Sequence, residues 1–353
     1  MQGFAIAGRP IGPGHPPYLI AELSGNHNGR LERALALVDA AAEAGADAVK
    51  LQTYTADTIT LDVDRPEFRI HGGLWDGRHL HELYREAATP WEWHPALFER
   101  ARARGLHCFS SPFDPTAVAF LSGLDAPAWK IASFEIVDLP LIAEVAATGR
   151  PVIVSTGVGD MGEIEAAVRA VRAAGAPVAL LHCVSAYPAP AEEMRLGTIA
   201  MLAAAFGCPV GLSDHSAGTA AAVAAVALGA GIIEKHLTLA RADGGPDAAF
   251  SLEPDEFARL VADCRMAHAA LGPPLADRTG IGGANAQFRR ALRVVADVPA
   301  GTVLTGDHVR SLRPGGGLAP RHLGAVLGRR AARDLMRGEP LGWDMLETGA
   351  PED

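Results

Sequence analysis

The chain has 353 residues, 49% of them hydrophobic and 20% charged, which is enough apolar material for one large cored unit and a smaller one. A formal net charge of −10 leaves no broad basic face, so no nucleic-acid partner is expected, while a locally basic pocket for a small anion stays open. Four separated cysteines (Cys108, Cys183, Cys208 and Cys264) form no Cys-x-x-Cys pair, so they read as buried thiols of a cytoplasmic, reducing setting.

Met1 to Pro17 is rich in glycine and proline and lacks a basic-then-apolar signal pattern. From there a strand-then-helix rhythm begins. Strand-like runs fall at Tyr18–Leu23, Ala48–Gln52, His107–Ser110, Ala128–Ile131, Pro151–Ser155, Val178–Cys183, Pro209–Leu212 and Gly231–His236. Ala-rich amphipathic segments follow them at Leu31–Ala44, Pro95–Arg104, Thr116–Leu121, Pro140–Thr148, Glu163–Ala174, Glu192–Phe206, Ala217–Leu228 and Pro254–Leu271. Eight such units in order predict a (β/α)8 TIM barrel. An open doubly wound sheet is the rival, but no Gly-x-Gly-x-x-Gly string follows the first strand. The longest apolar stretch, Ala220 to Ile233, is interrupted by Gly229 and Gly231 and is too short to span a bilayer, so no membrane partner is expected.

One connection is long. About forty residues, Tyr54 to Trp93, carry Phe68, Trp75, Tyr84, Trp91 and Trp93, which fits a lid over a ligand, burial against a partner, or an excursion packed outside the barrel. Residues 276–290 read as a linker, which gives a barrel domain over 1–275 and a small domain over 291–353. In the small domain short apolar runs alternate with turns at Leu292–Ala296, Thr302–Leu304, Val309–Leu312 and Gly317–Leu318. A short helix at Arg321–Val326 then precedes Arg329–Asp334, and the whole reads as mostly β.

In a TIM barrel the C-terminal strand ends share one pocket. Taken strand by strand, those ends offer Glu22 with Asn26, His27 and Asn28; Lys50 and Gln52; Ser110 and Ser111; and Lys130, Ser133 and Glu135. The remaining four offer Ser155 and Thr156; His182, Ser185 and Tyr187; Ser213, Asp214 and His215; and Glu234 and His236. Two strands that both end in histidine make a divalent metal site a candidate. A lysine in such a place serves equally as a salt-bridge partner, and a serine as a helix cap. Their joint occurrence on successive strand ends points instead to an anionic ligand such as a phosphorylated carboxylate.

These strings resemble the sialic acid synthase family over nearly the whole chain. The matching motifs are Ala21 to Gly29, Lys50-Leu51-Gln52, Lys130 to Ser133, Ser155-Thr156-Gly157, His182 to Pro188, Gly211 to His215, Glu234 to His236, Gly245-Pro246-Asp247 and Arg313-Pro314-Gly315. The last lies in a segment similar to the antifreeze-like (SAF) domain that ends these proteins. Within the family the branch most alike is that of the pseudaminic acid synthases, through Ser24 to Gly29, Gly73 to Gly77, Thr89 to Pro95 and Ser133 to Pro140. Val158-Gly159 and Ser216-Ala217 depart from the common Met-Ala and Thr-Leu pairs without removing a chemical group.

The resemblance implies an enzyme that condenses phosphoenolpyruvate with an amino-sugar aldehyde and water, releasing phosphate by C–O cleavage. For the pseudaminic branch the sugar is 2,4-diacetamido-2,4,6-trideoxy-L-altrose; N-acetylneuraminate and legionaminate synthesis are the alternatives. It further implies a divalent cation (manganese or magnesium, with cobalt as a further option) on His215 and His236. Phosphoenolpyruvate would lie on Lys50, Ser111, Lys130, Ser133, Ser155, Ser185 and Ser213, with Gln52, Tyr187 and Asp247 facing the sugar and Glu22 orienting or deprotonating. Arg313 would serve the neighbouring site in a domain-swapped homodimer. A Schiff-base aldolase on Lys130 and a non-catalytic sugar-binding protein are the rival functions.

Overall fold

In the computed structural model, residues 3–272 and 281–348 are described, and the chain divides into two compact units, Met1–Gly272 and Pro273–Asp353. The first unit begins with a hairpin, β1 (Phe4–Ile6) against β2 (Arg9–Ile11). No strand is expected this early from sequence. Two strands of three residues are too short to show a period, yet Ile6 and Ile11 are fully buried in the main core. The hairpin is moored by an Arg9–Asp47 ion pair at 2.8 Å, while Gly12 approaches Gly231 just before the last barrel strand.

Eight parallel strands close the barrel as expected: β3 (Tyr18–Glu22), β4 (Ala48–Thr53), β5 (His107–Pro112), β6 (Trp129–Ile131), β7 (Val152–Ser155), β8 (Val178–Cys183), β9 (Val210–Asp214) and β10 (Ile232–His236). Neighbours in sequence are neighbours in space, and β10 returns to pair with β3, setting His236 opposite Glu22. Most strand residues are buried because one face fills the barrel and the other meets the helical ring.

The ring comprises α1 (Leu31–Glu43), then α2 (Ala56–Ile59) and α3 (Leu80–Ala87), then α4 (His94–Ala103), α5 (Pro115–Ser122), α6 (Leu139–Ala147), α7 (Met161–Ala173), α8 (Thr198–Phe206), α9 (Ala220–Ala227) and α10 (Pro254–Leu271). Starts are written in the sequence. Asp114 and Asp138 accept from first-turn amides of α5 and α6, and Asp160 forms a capping box with Glu163. Ile164, Ala167, Val168 and Val171 make the buried stripe of α7.

Two expectations need revision. The helix over Glu192–Phe206 splits into a 3-10 turn at Ala191–Glu193 and α8, because Arg195 takes a positive φ of 42° that no right-handed helix tolerates. The long connection 54–93 also carries two helices that were not expected, α2 and α3.

In the second unit Ile281–Ala284 form a helical turn (α11), and Asn285–Phe288 a 3-10 turn, within the expected linker; its residues 276–280 lie outside the described residues. β11 (Ala291–Val294) pairs antiparallel with β12 (Val309–Leu312), and α12 (Leu323–Val326) follows. The run Thr302–Leu304 contributes a single bridge, Val303 to Arg330, and Val298 bridges Leu335 outside the expected runs. Leu292, Val294, Leu304, Val309, Val326 and Leu341 are among the residues of its separate core.

Candidate active site

Strand residues alternate in facing, and this alternation sorts the polar strand ends into two sets. Lys50, Gln52, Lys130, Ser155, Ser213, His215, Glu234 and His236 line one cavity of about 500 Å³, together with Ser133, Tyr187 and Asp247 from the loops beyond. Three more expected site residues stand directly behind that surface. Glu22 pairs with Lys50 at 2.8 Å and accepts from Gln52 at 3.0 Å. Ser111 lies 3.5 Å from the Lys50 ammonium, and Ser185 shares a 2.8 Å hydrogen bond with Ser133.

The outward positions are occupied differently. Ser110 bonds Thr53 at 2.6 Å, and His182 bonds the Met194 carbonyl at 2.7 Å. Asp214 forms a fully buried pair with Lys235 at 2.8 Å. Asn26 donates to the Leu237 carbonyl and the Ser251 hydroxyl, both at 2.9 Å, and so shapes the loop after β3. Ser110, His182 and Asp214 are scaffold on strand faces turned away from the cavity, and Asn26 is scaffold in the loop after β3. Arg313 belongs to the C-terminal unit, where it is exposed at the end of β12.

At the cavity floor two ammoniums meet two carboxylates. Glu234 lies 3.3 Å from Lys50 and 3.8 Å from Lys130, and it accepts from Ser213 at 3.0 Å. Burial alone would raise its pKa, yet the two lysines outweigh that and hold it below the ordinary value. Glu22 sees one ammonium and one amide; there burial wins and its pKa rises. Burial pulls Lys50 down, but Glu22 and Glu234 more than restore it, whereas Lys130, with only Glu234 close, stays lowered. Sequence reading assigned Glu234 no role, although it shares the inward face of β10 with His236, two residues on. That period of two was the available signal.

Above this floor sit the histidines, with ring centroids 5.5 Å apart. His215 donates its Nδ1 proton to the Val184 carbonyl at 3.0 Å, which leaves Nε2 as an unprotonated donor of electrons. Burial lowers its pKa to about 4, and burial followed by the charge His215 would carry holds that of His236 well below the ordinary histidine value. Nδ1 of His236 is buried without a hydrogen-bond partner among the described residues. Phe250 and Tyr187 flank the pair, at 4.8 Å from His236 and 4.5 Å from His215. Gly157 permits the close packing behind Ser185, because a Cβ there would fall 2.5 Å from the Ser185 hydroxyl and from Cys183 Sγ.

The long connection supplies the other wall through Tyr54, Ile59, Ile70, Trp75, Leu80, Leu83, Tyr84 and Ala87. Trp75 donates to the Pro246 carbonyl at 2.9 Å, beside Asp247, whose carboxylate accepts from the Ser24 hydroxyl. The segment thus lines the strand-end cavity.

A closed parallel barrel with a strand-end cavity of lysines, serines and paired histidines, followed by a separate small β unit, has the architecture of a TIM-barrel enzyme. Residues 37–275 match the NeuB family and residues 289–347 the SAF domain, and this chain belongs to the NeuB family. It is 44% identical to a pseudaminic acid synthase of Campylobacter jejuni over 325 residues, which is 92% of this chain and 95% of the relative. To the pseudaminic acid synthase of Helicobacter pylori it is 41% identical over 340 residues, 94% and 98% of the two chains. The crystal structure of an N-acetylneuraminic acid synthetase from Leptospira borgpetersenii in complex with citrate matches with a TM-score of 0.73 at 32% identity, covering 80% of this chain and 95% of that one. Among the described residues no helix is long and apolar enough to cross a membrane.

Proposed function

We propose that this chain is a pseudaminic acid synthase, joining phosphoenolpyruvate to 2,4-diacetamido-2,4,6-trideoxy-L-altrose with water and releasing phosphate. The observation that carries the reading is one cavity holding two buried lysines and a row of hydroxyls below two neutral imidazoles. The identity to pseudaminic acid synthases supports the choice of sugar.

Lys50 and Lys130 balance the charge of phosphoenolpyruvate, and the hydroxyls of Ser133, Ser155 and Ser213 bond its oxygens, while Ser111 and Ser185 support Lys50 and Ser133 from behind. Ser155 has a buried Oγ with no partner among the described residues, as a group waiting for a ligand oxygen would. Gln52, Tyr187 and Asp247 orient the sugar. C3 of the enol forms the new bond to the aldehyde carbon; water then adds at C2, and the C2–O bond breaks as phosphate departs. Glu22, behind the cavity surface, orients Lys50 and Gln52 toward the substrates, and the proton of the attacking water goes to the alkoxide formed from the aldehyde.

The histidines fit a divalent cation. Both are neutral, His215 is fixed in one tautomer, and His236 has an orphaned buried nitrogen. Among the described residues no group of three or more His, Cys, Asp or Glu forms a cage, so water and substrate oxygens would complete the coordination. When bound, the metal would polarise the aldehyde oxygen.

The test is phosphate release from phosphoenolpyruvate with a panel of amino sugars, each with and without EDTA. The reading expects turnover with the diacetamido-trideoxy sugar that EDTA abolishes and manganese restores. Strong preference for N-acetylmannosamine would move the chain to the neuraminate branch, and full activity in EDTA would remove the metal.

A further inference from the structure

Helix α3 is amphipathic in an unusual direction. Leu80, Leu83, Tyr84 and Ala87 recur at helical spacing, and such a stripe ordinarily packs into a core. Here all four line the cavity, joined by Ile59 at the end of α2 and by Ile70 in the loop between the two helices. Tyr84 carries the single side-chain polar group among these six residues.

The wall is anchored from behind. His81 bonds Asp57 of α2 at 2.9 Å, Tyr54 packs edge-on against Tyr84 at 5.8 Å, and Trp75 ties the loop to Pro246. Gly25 meets the C-terminal end of α3, where a Cβ would fall 3.1 Å from Ala87. Glu82, Arg85 and Glu86 take the exposed face. One cavity therefore has two chemistries: charges and hydroxyls on the barrel strands, hydrocarbon on α3 and its flanks.

We infer that this hydrocarbon wall is the specificity determinant of the site, selecting aldoses whose substituents end in methyl groups (N-acyl or deoxy) over aldoses that present hydroxyls there. The inference rests on the proposed function and adds to it which residues choose the sugar. A hydroxyl against Leu80, Leu83 and Ile70 would lose its water without gaining a partner, whereas a methyl group would be buried at no such cost. Discrimination by a wall of this kind is on the order of 10- to 100-fold.

The experiment compares kcat/KM for phosphate release with a 2,4-diacetamido-2,4,6-trideoxyhexose and with N-acetylmannosamine, in the wild type, Leu80→Asn, Leu83→Asn and Ile70→Thr. Ile70→Thr keeps the β-branch while exchanging the ethyl arm for a hydroxyl, and it lies on a loop, so it reports even where an asparagine in α3 weakens the fold. The expected result is that the ratio of the two values falls about tenfold in the variants while KM for phosphoenolpyruvate holds. An unchanged ratio, or a parallel loss with both sugars, would overturn the inference and leave the proposed function standing. A wild type that releases phosphate with neither sugar would overturn both.

Discussion

Burial and close charges compete over the ionisable side chains of this cavity, with different outcomes for neighbours. His215 and His236 are pushed to the neutral form. Neither is a structural keystone, because His215 makes one side-chain hydrogen bond and Nδ1 of His236 makes none. Alanine at either position is therefore expected to lower phosphate release by about a thousandfold or more while the thermal midpoint moves by only a few degrees. Loss of the cooperative melt would show that the histidines are needed for folding instead. Glu135 illustrates the opposite sign. Its carboxyl lines the cavity, and burial raises its pKa from 4.5 to about 7. Below pH 4.5 it is neutral in both folded and unfolded chains and costs nothing. As pH rises toward 7 the unfolded chain ionises first, so stability is lost across that window, by up to about 3 kcal/mol. Glu135→Gln should match the wild type in denaturant midpoint near pH 4 and exceed it near pH 8. An equal midpoint at both would show that water reaches the carboxyl.

At the level of elements, period and punctuation carried most of the fold. All eight barrel strands and eight of the helices around them were readable, because Ala-rich stripes with Asp caps alternate with short apolar runs; α2 and α3, inside the long connection, were not. What escaped was short or bent: the hairpin over Phe4–Ile11, and the break before α8 where Arg195 turns left-handed. Close strand approach has its own signature in Gly211 on β9, where a Cβ would sit 2.2 Å from the Ile232 carbonyl oxygen on β10. Gly211→Ala must push apart the two strands that carry His215 and His236. We expect it to cost about 1–3 kcal/mol and to lower kcat as well, read by denaturant melts and phosphate release. Wild-type stability in that variant would mean that the barrel relaxes freely at this seam.

For the whole molecule, the match to the NeuB family together with a SAF domain covers both compact units. The homodimer in which Arg313 serves the neighbour's site remains our proposal, and complementation tests it. Arg313→Ala and Lys130→Ala chains, each nearly inactive alone, should regain about a quarter of wild-type turnover per chain when unfolded and refolded together at equal amounts, since half the chains enter mixed dimers and each mixed dimer holds one intact site. No recovery, in a mixture shown to contain mixed dimers, would place Arg313 in the service of its own chain.

The amino-acid sequence by itself determined the barrel, the small β unit, the family and the residue types at the strand ends, because periodicity, caps and motif strings are local properties. Only the tertiary structure decided which of those groups meet. Closure of β10 onto β3 brings Glu22, Lys50 and Glu234 into one charge cluster, although they lie far apart in the chain. Strand alternation sends Asp214 and His182 away from the cavity that Ser213 and His215 line. The excursion over 54–93 becomes a hydrocarbon wall only because α3 turns its apolar stripe toward that cavity. Local sequence dictates which face of each element is apolar; what that face covers is set by the closure of the chain around it.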